Sequence, residues 1–280
     1  MSAPRERRIA LPQGDLAALT WGDPAAPPLV ALHGWLDNAA SFALLAPLLA
    51  ERHHVIALDL PGHGASAHVA PGAHYHYVDY VRTVLAALDA QDLAHCTLLG
   101  HSLGAGIAAL VAAAAPQRIN RLFLIEGLGP LADDGSRTLE RYRNALAKPV
   151  ADGKGLRTFA SIDQAVSART MATGLRAELA RPIVERGLRQ AAEGWQWRSD
   201  PRLARASAIR LAESQVRALL AGIAAPTALL LATPATPYLP SALMQARAAC
   251  VARITVDTLA GGHHLQLEHP AAVAQWLMGT

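Results

Sequence analysis

The chain reads as an α/β domain built on a mostly parallel sheet with helices on both faces. Three observations predict this. Short apolar runs recur at residues 29–32, 55–58, 97–99 and 122–125 and again at 226–232. Unbroken apolar runs of this length suit strands buried on both faces. Segments with helical patterning lie between them, and strands alternating with helices make parallel units. The length of 280 residues is enough to bury one sizeable core.

Taken in order, residues 16–21 and 29–32 are expected as strands, 41–51 as a helix and 55–58 as a strand. Over 77–88, Val81, Val84, Leu85 and Leu88 fall at helical spacing, which predicts an amphipathic helix. A strand at 97–99 feeds an alanine-rich helix over 105–115, and a strand follows at 122–125. Between Gly127 and Gly222 the alternation stops. That region is arginine-rich, helical in pattern, and broken by Gly153, Gly155, Gly174, Pro182, Gly187 and Gly194. It is expected to be a helical cap over 131–219, inserted into a core formed by 1–130 and 220–280. A cap over the carboxyl edge of the sheet would form a substrate pocket and exclude water. Trp195 and Trp197 lie on it and either line that pocket or pack cap against core. The pattern resumes with a strand at 226–232, a strand-like 254–256 and a last helix over 271–278, after Pro270.

Composition narrows the function classes. The hydrophobic fraction of 52% is inflated by alanine, and no apolar run reaches the ~18 residues of a membrane span. The N-terminal basic residues are not followed by an apolar stretch, so no secretory signal is expected. Cys96 and Cys250 read as small buried hydrophobes in a reducing, cytoplasmic setting. The formal net charge of +3 is spread along the chain without a basic block, so nucleic acid is not an expected partner. His74 and His76 form an H-x-H pair without an evident third ligand, and no metal is expected there. Monomer and homodimer stay equally open.

The chemistry is concentrated in Gly100-His101-Ser102-Leu103-Gly104, a G-x-S-x-G run placed between a buried strand and a helix. A serine on such a sharp strand-to-helix turn has its Oγ lifted clear of the sheet, and flanking glycines let strand and helix approach. The following helix aims its first N–H groups at the site. Further along come His33-Gly34-Trp35 at the end of one apolar run, Asp59-Leu60-Pro61-Gly62-His63-Gly64 after another, and Gly261-Gly262-His263-His264 near the C-terminus.

With these segments the chain resembles the α/β-hydrolases that carry a cap. More closely it resembles the serine hydrolase-like group, through His33-Gly34-Trp35-Leu36-Asp37-Asn38, His74-Tyr75-His76-Tyr77 and Trp197-Arg198-Ser199-Asp200-Pro201-Arg202-Leu203 as well as the runs above. The resemblance implies an α/β-hydrolase fold, Ser102 as nucleophile, and the backbone N–H groups of Trp35 and Leu103 as oxyanion donors. It implies no cofactor, and a small-molecule acyl substrate, by default a carboxylic ester. Thioesters, lactones and carbon–carbon bonds next to a ketone are cleaved by the same constellation in related proteins. Serine rather than aspartate at position 102 argues against dehalogenase and epoxide hydrolase chemistry.

Two assignments need the family frame. The catalytic histidine commonly stands five residues before a Glu-x-Pro. Glu268-His269-Pro270 fits, which selects His263 as the base and leaves His264 pointing elsewhere. His33 is read as structural, bonding local backbone. The usual acid position, in the turn after the strand at 226–232, holds Thr236 and no carboxylate lies near it. Glu126, at the end of the strand at 122–125, is the expected replacement, since some relatives place their acid there. The alternatives are a Glu126 paired with Arg141 or Arg143 and a weakened Ser102–His263 dyad. The missing acid is also the one feature that favours a non-enzymatic ligand-binding protein.

Overall fold

The computed structural model describes residues 3–147 and 157–279. The first half supplies strands β1 (Arg5–Ile9), β2 (Leu16–Trp21) and β3 (Pro28–Leu32), a 3₁₀ turn (Ala39–Phe42) and one helical turn, α1 (Ala46–Leu49). Then come β4 (His54–Leu58), α2 (Tyr77–Ala90), β5 (Cys96–His101), α3 (Leu103–Ala114) and β6 (Ile119–Ile125). The middle segment holds α4 (Thr138–Leu146), β7 (Thr158–Phe159), α5 (Ile162–Thr173), α6 (Ala177–Gly187), β8 (Leu188–Ala191) and β9 (Gly194–Trp197). The chain finishes with α7 (Glu213–Leu220), β10 (Thr227–Thr233), α8 (Ser241–Ala248), β11 (Ile254–Ala260), α9 (Leu265–Glu268) and α10 (Pro270–Gly279).

Eight strands form one sheet in the order β1-β2-β4-β3-β5-β6-β10-β11. The β1–β2 and β2–β4 pairs are antiparallel and every other pair is parallel. Both faces are covered, and the alternation along each strand divides the core. Val30, Leu32, Leu98, Leu122, Leu124 and Leu229 face the layer of α2, α3, α7 and α8, where Val84, Leu88, Ile107, Val111, Val216 and Met244 pack. Leu29, Ala31, Leu99, Phe123, Ile125 and Leu230 face the opposite layer, with Phe42, Leu45, Val273 and Leu277. A period of two with apolar residues on both sides is why these strands read as continuous runs. The edge strand β1 exposes Arg5, Glu6, Arg7 and Arg8. Charges there discourage edge-to-edge pairing and hide the strand from an apolar-run reading.

Three expectations need correction. The helix expected over 41–51 is a 3₁₀ turn and a single α turn, because Pro47 sits where a longer helix would need a backbone donor. The middle segment is not all-helical: β7, β9 and β8 form a separate three-stranded antiparallel sheet that carries Trp195 and Trp197. Both tryptophans pack with Phe159, and the Trp197 ring meets it edge-to-face at 5.5 Å. The expected boundary at 219 cuts through α7, whose Val216 and Leu220 are buried in the main core. Among the described residues, none between β6 and β10 joins the large sheet. Gly153 and Gly155, read as helix breakers, lie outside the described residues.

Candidate active site

The turn after β5 is sterically exacting. Ser102 has φ 52° and ψ −113°, a strained conformation for a residue with a side chain. A Cβ on Gly104 would lie 2.0 Å from the Leu32 carbonyl oxygen, and one on Gly100 2.5 Å from the Gly104 carbonyl oxygen. Only glycine fits at either place, so α3 starts hard against the ends of β3 and β5. Leu103 opens α3, where an N–H has no partner within the helix.

The register of the sheet brings the candidate acid to the serine turn. His101 of β5 lies opposite Ile125 of β6, and the Ser102 N–H donates to the Ile125 carbonyl at 2.9 Å. Glu126, next in the chain, therefore stands beside the serine turn, itself strained at φ 53°. Its buried carboxylate is fully engaged. Oε1 accepts the Ala232 N–H at 2.7 Å, and Oε2 lies 2.9 Å from His263 Nδ1 and also accepts the Thr236 hydroxyl. Burial pushes this carboxyl up, but the bonds from His263, Ala232 and Thr236 outweigh it and hold the group below its usual range. An ionised Glu126 keeps the His263 proton on Nδ1 and leaves Nε2 with its lone pair. Thr236 thus occupies the position where the family frame puts an acid, and its hydroxyl hydrogen-bonds the Glu126 carboxylate. Arg141 pairs with Asp133.

The histidine loop is pinned from two sides. Glu268 accepts the Gly262 N–H at 2.7 Å, and His101 Nε2 donates to the His263 carbonyl at 2.8 Å. Burial, followed by the neighbouring His263 and His264, holds His101 well below the ordinary histidine pKa, so it stays a neutral donor. His264 turns away, with Nε2 3.3 Å from Asp37 Oδ2. Asp37 is buried, which raises its pKa, yet His264 and Arg169 bring the carboxyl well below its usual range. His33 spans its own turn: Nδ1 donates to the Gly34 carbonyl at 2.7 Å and Nε2 accepts the Leu60 N–H at 2.9 Å. Trp35 follows in that turn, its ring half-exposed and its indole N–H on the Leu203 carbonyl at 3.0 Å.

Several of these residues escaped sequence reasoning. His101, Asp37 and Arg169 carry no spacing signal, because the contacts that tie them to one another and to the histidine loop join positions more than 60 apart. Tyr238, whose ring meets that of His263 edge-to-face at 5.4 Å, was equally silent. A cavity of about 490 Å³, lined by Pro61, His68, Tyr75, His76 and Tyr80 among others, contains none of Ser102, Glu126 or His263. His74 and His76 lie at that cavity with ring centroids 6.3 Å apart. Among the described residues no cluster of His, Cys, Asp or Glu is arranged to hold a metal, and no helix is long and apolar enough to cross a membrane.

An eight-stranded, mostly parallel sheet with a serine on the strained turn after its fifth strand defines a class. The chain belongs to the α/β-hydrolase fold family, which matches residues 27–270. It is similar to a serine hydrolase-like protein of Dictyostelium discoideum, 28% identical over 276 residues that cover 93% of this chain and 77% of that protein. Among solved structures it is similar to a hypothetical protein from Pseudomonas aeruginosa PAO1, with TM-score 0.87 and 38% identity over 97% of this chain and 96% of that one. It shares its fold with the thioesterase domain from the curacin biosynthetic pathway, with TM-score 0.84 and 24% identity over 99% of this chain and 100% of that one.

Proposed function

We propose that the protein is a serine hydrolase that cleaves a carboxylic ester, or a related acyl bond, through an acyl-enzyme. The observation that carries this is the buried Glu126 carboxylate 2.9 Å from His263 Nδ1, just past the end of β6 and beside the Ser102 turn. The binding-protein reading drew on the missing acid at Thr236. A carboxylate already bonded to the candidate base removes that motive.

In the proposed reaction His263 Nε2 takes the Ser102 proton as Oγ attacks the acyl carbon. The Trp35 and Leu103 N–H groups hold the oxyanion, and Glu126 stabilises the imidazolium. Collapse expels the leaving group, which takes the proton from His263. Water then repeats the sequence on the acyl-serine, with His263 as base, and releases the acid and free Ser102. Thioesters and lactones would follow the same steps. We read residues 131–219 as the cap that encloses the substrate.

The test is chemical. The wild-type protein is expected to label with a fluorophosphonate at Ser102 and to hydrolyse p-nitrophenyl esters, with chain-length preference read from a graded panel. Ser102→Ala should abolish both while melting like the wild type. Undiminished turnover in purified S102A would sink the serine mechanism.

A further inference from the structure

Four consecutive residues of the turn after β3 are each bonded to the middle segment. The Trp35 indole N–H donates to the Leu203 carbonyl at 3.0 Å. The Leu36 carbonyl accepts Arg169 Nη1–H at 3.2 Å, and Asp37 Oδ1 accepts the Nη2–H of the same guanidinium. Asn38 Nδ2 donates to the Ile183 carbonyl at 2.7 Å. The same turn carries the Trp35 backbone N–H, and Leu36 within it is strained at φ 58°. A strained turn persists only where its surroundings over-determine it.

Arg169 does most of that work. It comes from α5 and is mostly buried, and its fork reaches a backbone carbonyl and the carboxylate of the next residue together. Lysine cannot span two such acceptors in fixed geometry. Asp37 is buried, and beyond Arg169 it faces the Ser41 hydroxyl at 3.2 Å, His264 Nε2 at 3.3 Å and, farther off, His101 Nδ1 at 3.8 Å. Arg169 is therefore the permanent cation against a buried anion. Losing it would leave that anion undercompensated and free the turn to move.

We propose that the middle segment sets the oxyanion hole through Arg169, a positioning residue that fixes residues 35–38 by way of Leu36 and Asp37. The inference rests on the Ser102 reading. It makes the segment a part of the catalytic geometry as well as a cover: where α5 sits decides where the Trp35 N–H points.

The experiment compares wild type, R169K and R169A on p-nitrophenyl acetate, a substrate too small to need a cap. For R169A, kcat should fall about 10²-fold, near the low end for removing an oxyanion donor, with KM changed less than about threefold. R169K should fall roughly tenfold, because charge survives and the fork does not. Fluorophosphonate labelling should slow in parallel. Millimolar guanidinium should restore part of the R169A rate, and amide exchange over 35–38 should quicken in both variants. If R169A does not fold, R169K carries the test. Wild-type kcat and unchanged exchange in R169K would overturn the inference alone. A wild-type protein that neither labels nor hydrolyses esters would instead overturn the serine reading, and the inference with it.

Discussion

At the scale of single residues, the decisive pairing is Glu126 with His263. Ala232 N–H sits 2.7 Å from Oε1, which settles how an amide would orient in Glu126→Gln. The amide NH₂ cannot face that N–H, since two donors would meet in a buried site, so it must turn towards His263. There it would donate to Nδ1, move the imidazole proton to Nε2 and disable the base. Turnover of Glu126→Gln should therefore fall by orders of magnitude, approaching the roughly 10⁴-fold cost of neutralising a triad carboxylate. Thr236→Val removes a hydroxyl bond to the same carboxylate but leaves its charge, and should cost less than about tenfold. Steady-state rates and melting temperatures of both variants check the pair, and a Glu126→Gln protein with wild-type turnover would leave a Ser102–His263 dyad as the better description.

Among the elements, α3 matters most. Its residues 104–112 are all buried, and its N-terminus carries one of the two candidate oxyanion donors. The helix holds that position because Gly104 lets it touch the Leu32 and His33 carbonyls, which belong to rigid backbone. Gly104→Ala should therefore cost more than the ~1–3 kcal/mol of ordinary overpacking and push Leu103 out of place. Urea unfolding should show a lowered midpoint, and labelling of Ser102 should slow. An alanine variant as stable as the wild type would mean that α3 can slide along the sheet, contrary to this packing.

For the molecule as a whole, the buried histidines set the response to acid. Burial holds His33 down to about 4, against 6.5 when free, and His63 down to about 3. Both stay neutral in the fold across a range where the unfolded chain binds their protons. Unfolding then takes up protons, so stability must fall as pH falls. The contribution is complete above pH 6.5 and drains away towards pH 4 for His33 and pH 3 for His63. By pH 5 each should have lost about 2 kcal/mol, and His101, lowered in the same direction, adds to the loss. The low-lying Asp37 and Glu126 carboxyls extend the trend below the ordinary carboxylate range. Urea midpoints measured at pH 7.5, 6 and 5 should fall steadily, and equal midpoints across that range would contradict the buried, neutral state of these rings.

Local sequence determined much of this. Five central strands were legible because burial on both faces demands unbroken apolar runs, and the serine turn because its two glycines flank the serine in one short run, although only Gly100 answers to backbone a few residues away while Gly104 answers to the Leu32 and His33 carbonyls. The frame from Glu268 to His263 is local too, and Glu268 does close that loop through the Gly262 N–H. The edge strand β1 was not legible, since an edge favours charge over apolar pattern. Neither was the small sheet of β7, β8 and β9, whose strands of two to four residues are too short to show a period. Sequence could nominate Glu126 but could not choose between His263 and an arginine as its partner. The parallel register of β5, β6 and β10 chose, because it fixes which strand ends share one edge of the sheet. The same holds for Arg169, Asp37 and His101. The Arg169 bonds form only when the middle segment folds back over the turn after β3, and His101 meets His263 only once the sheet brings the ends of β5 and β11 together; no spacing along the chain encodes meetings of that kind.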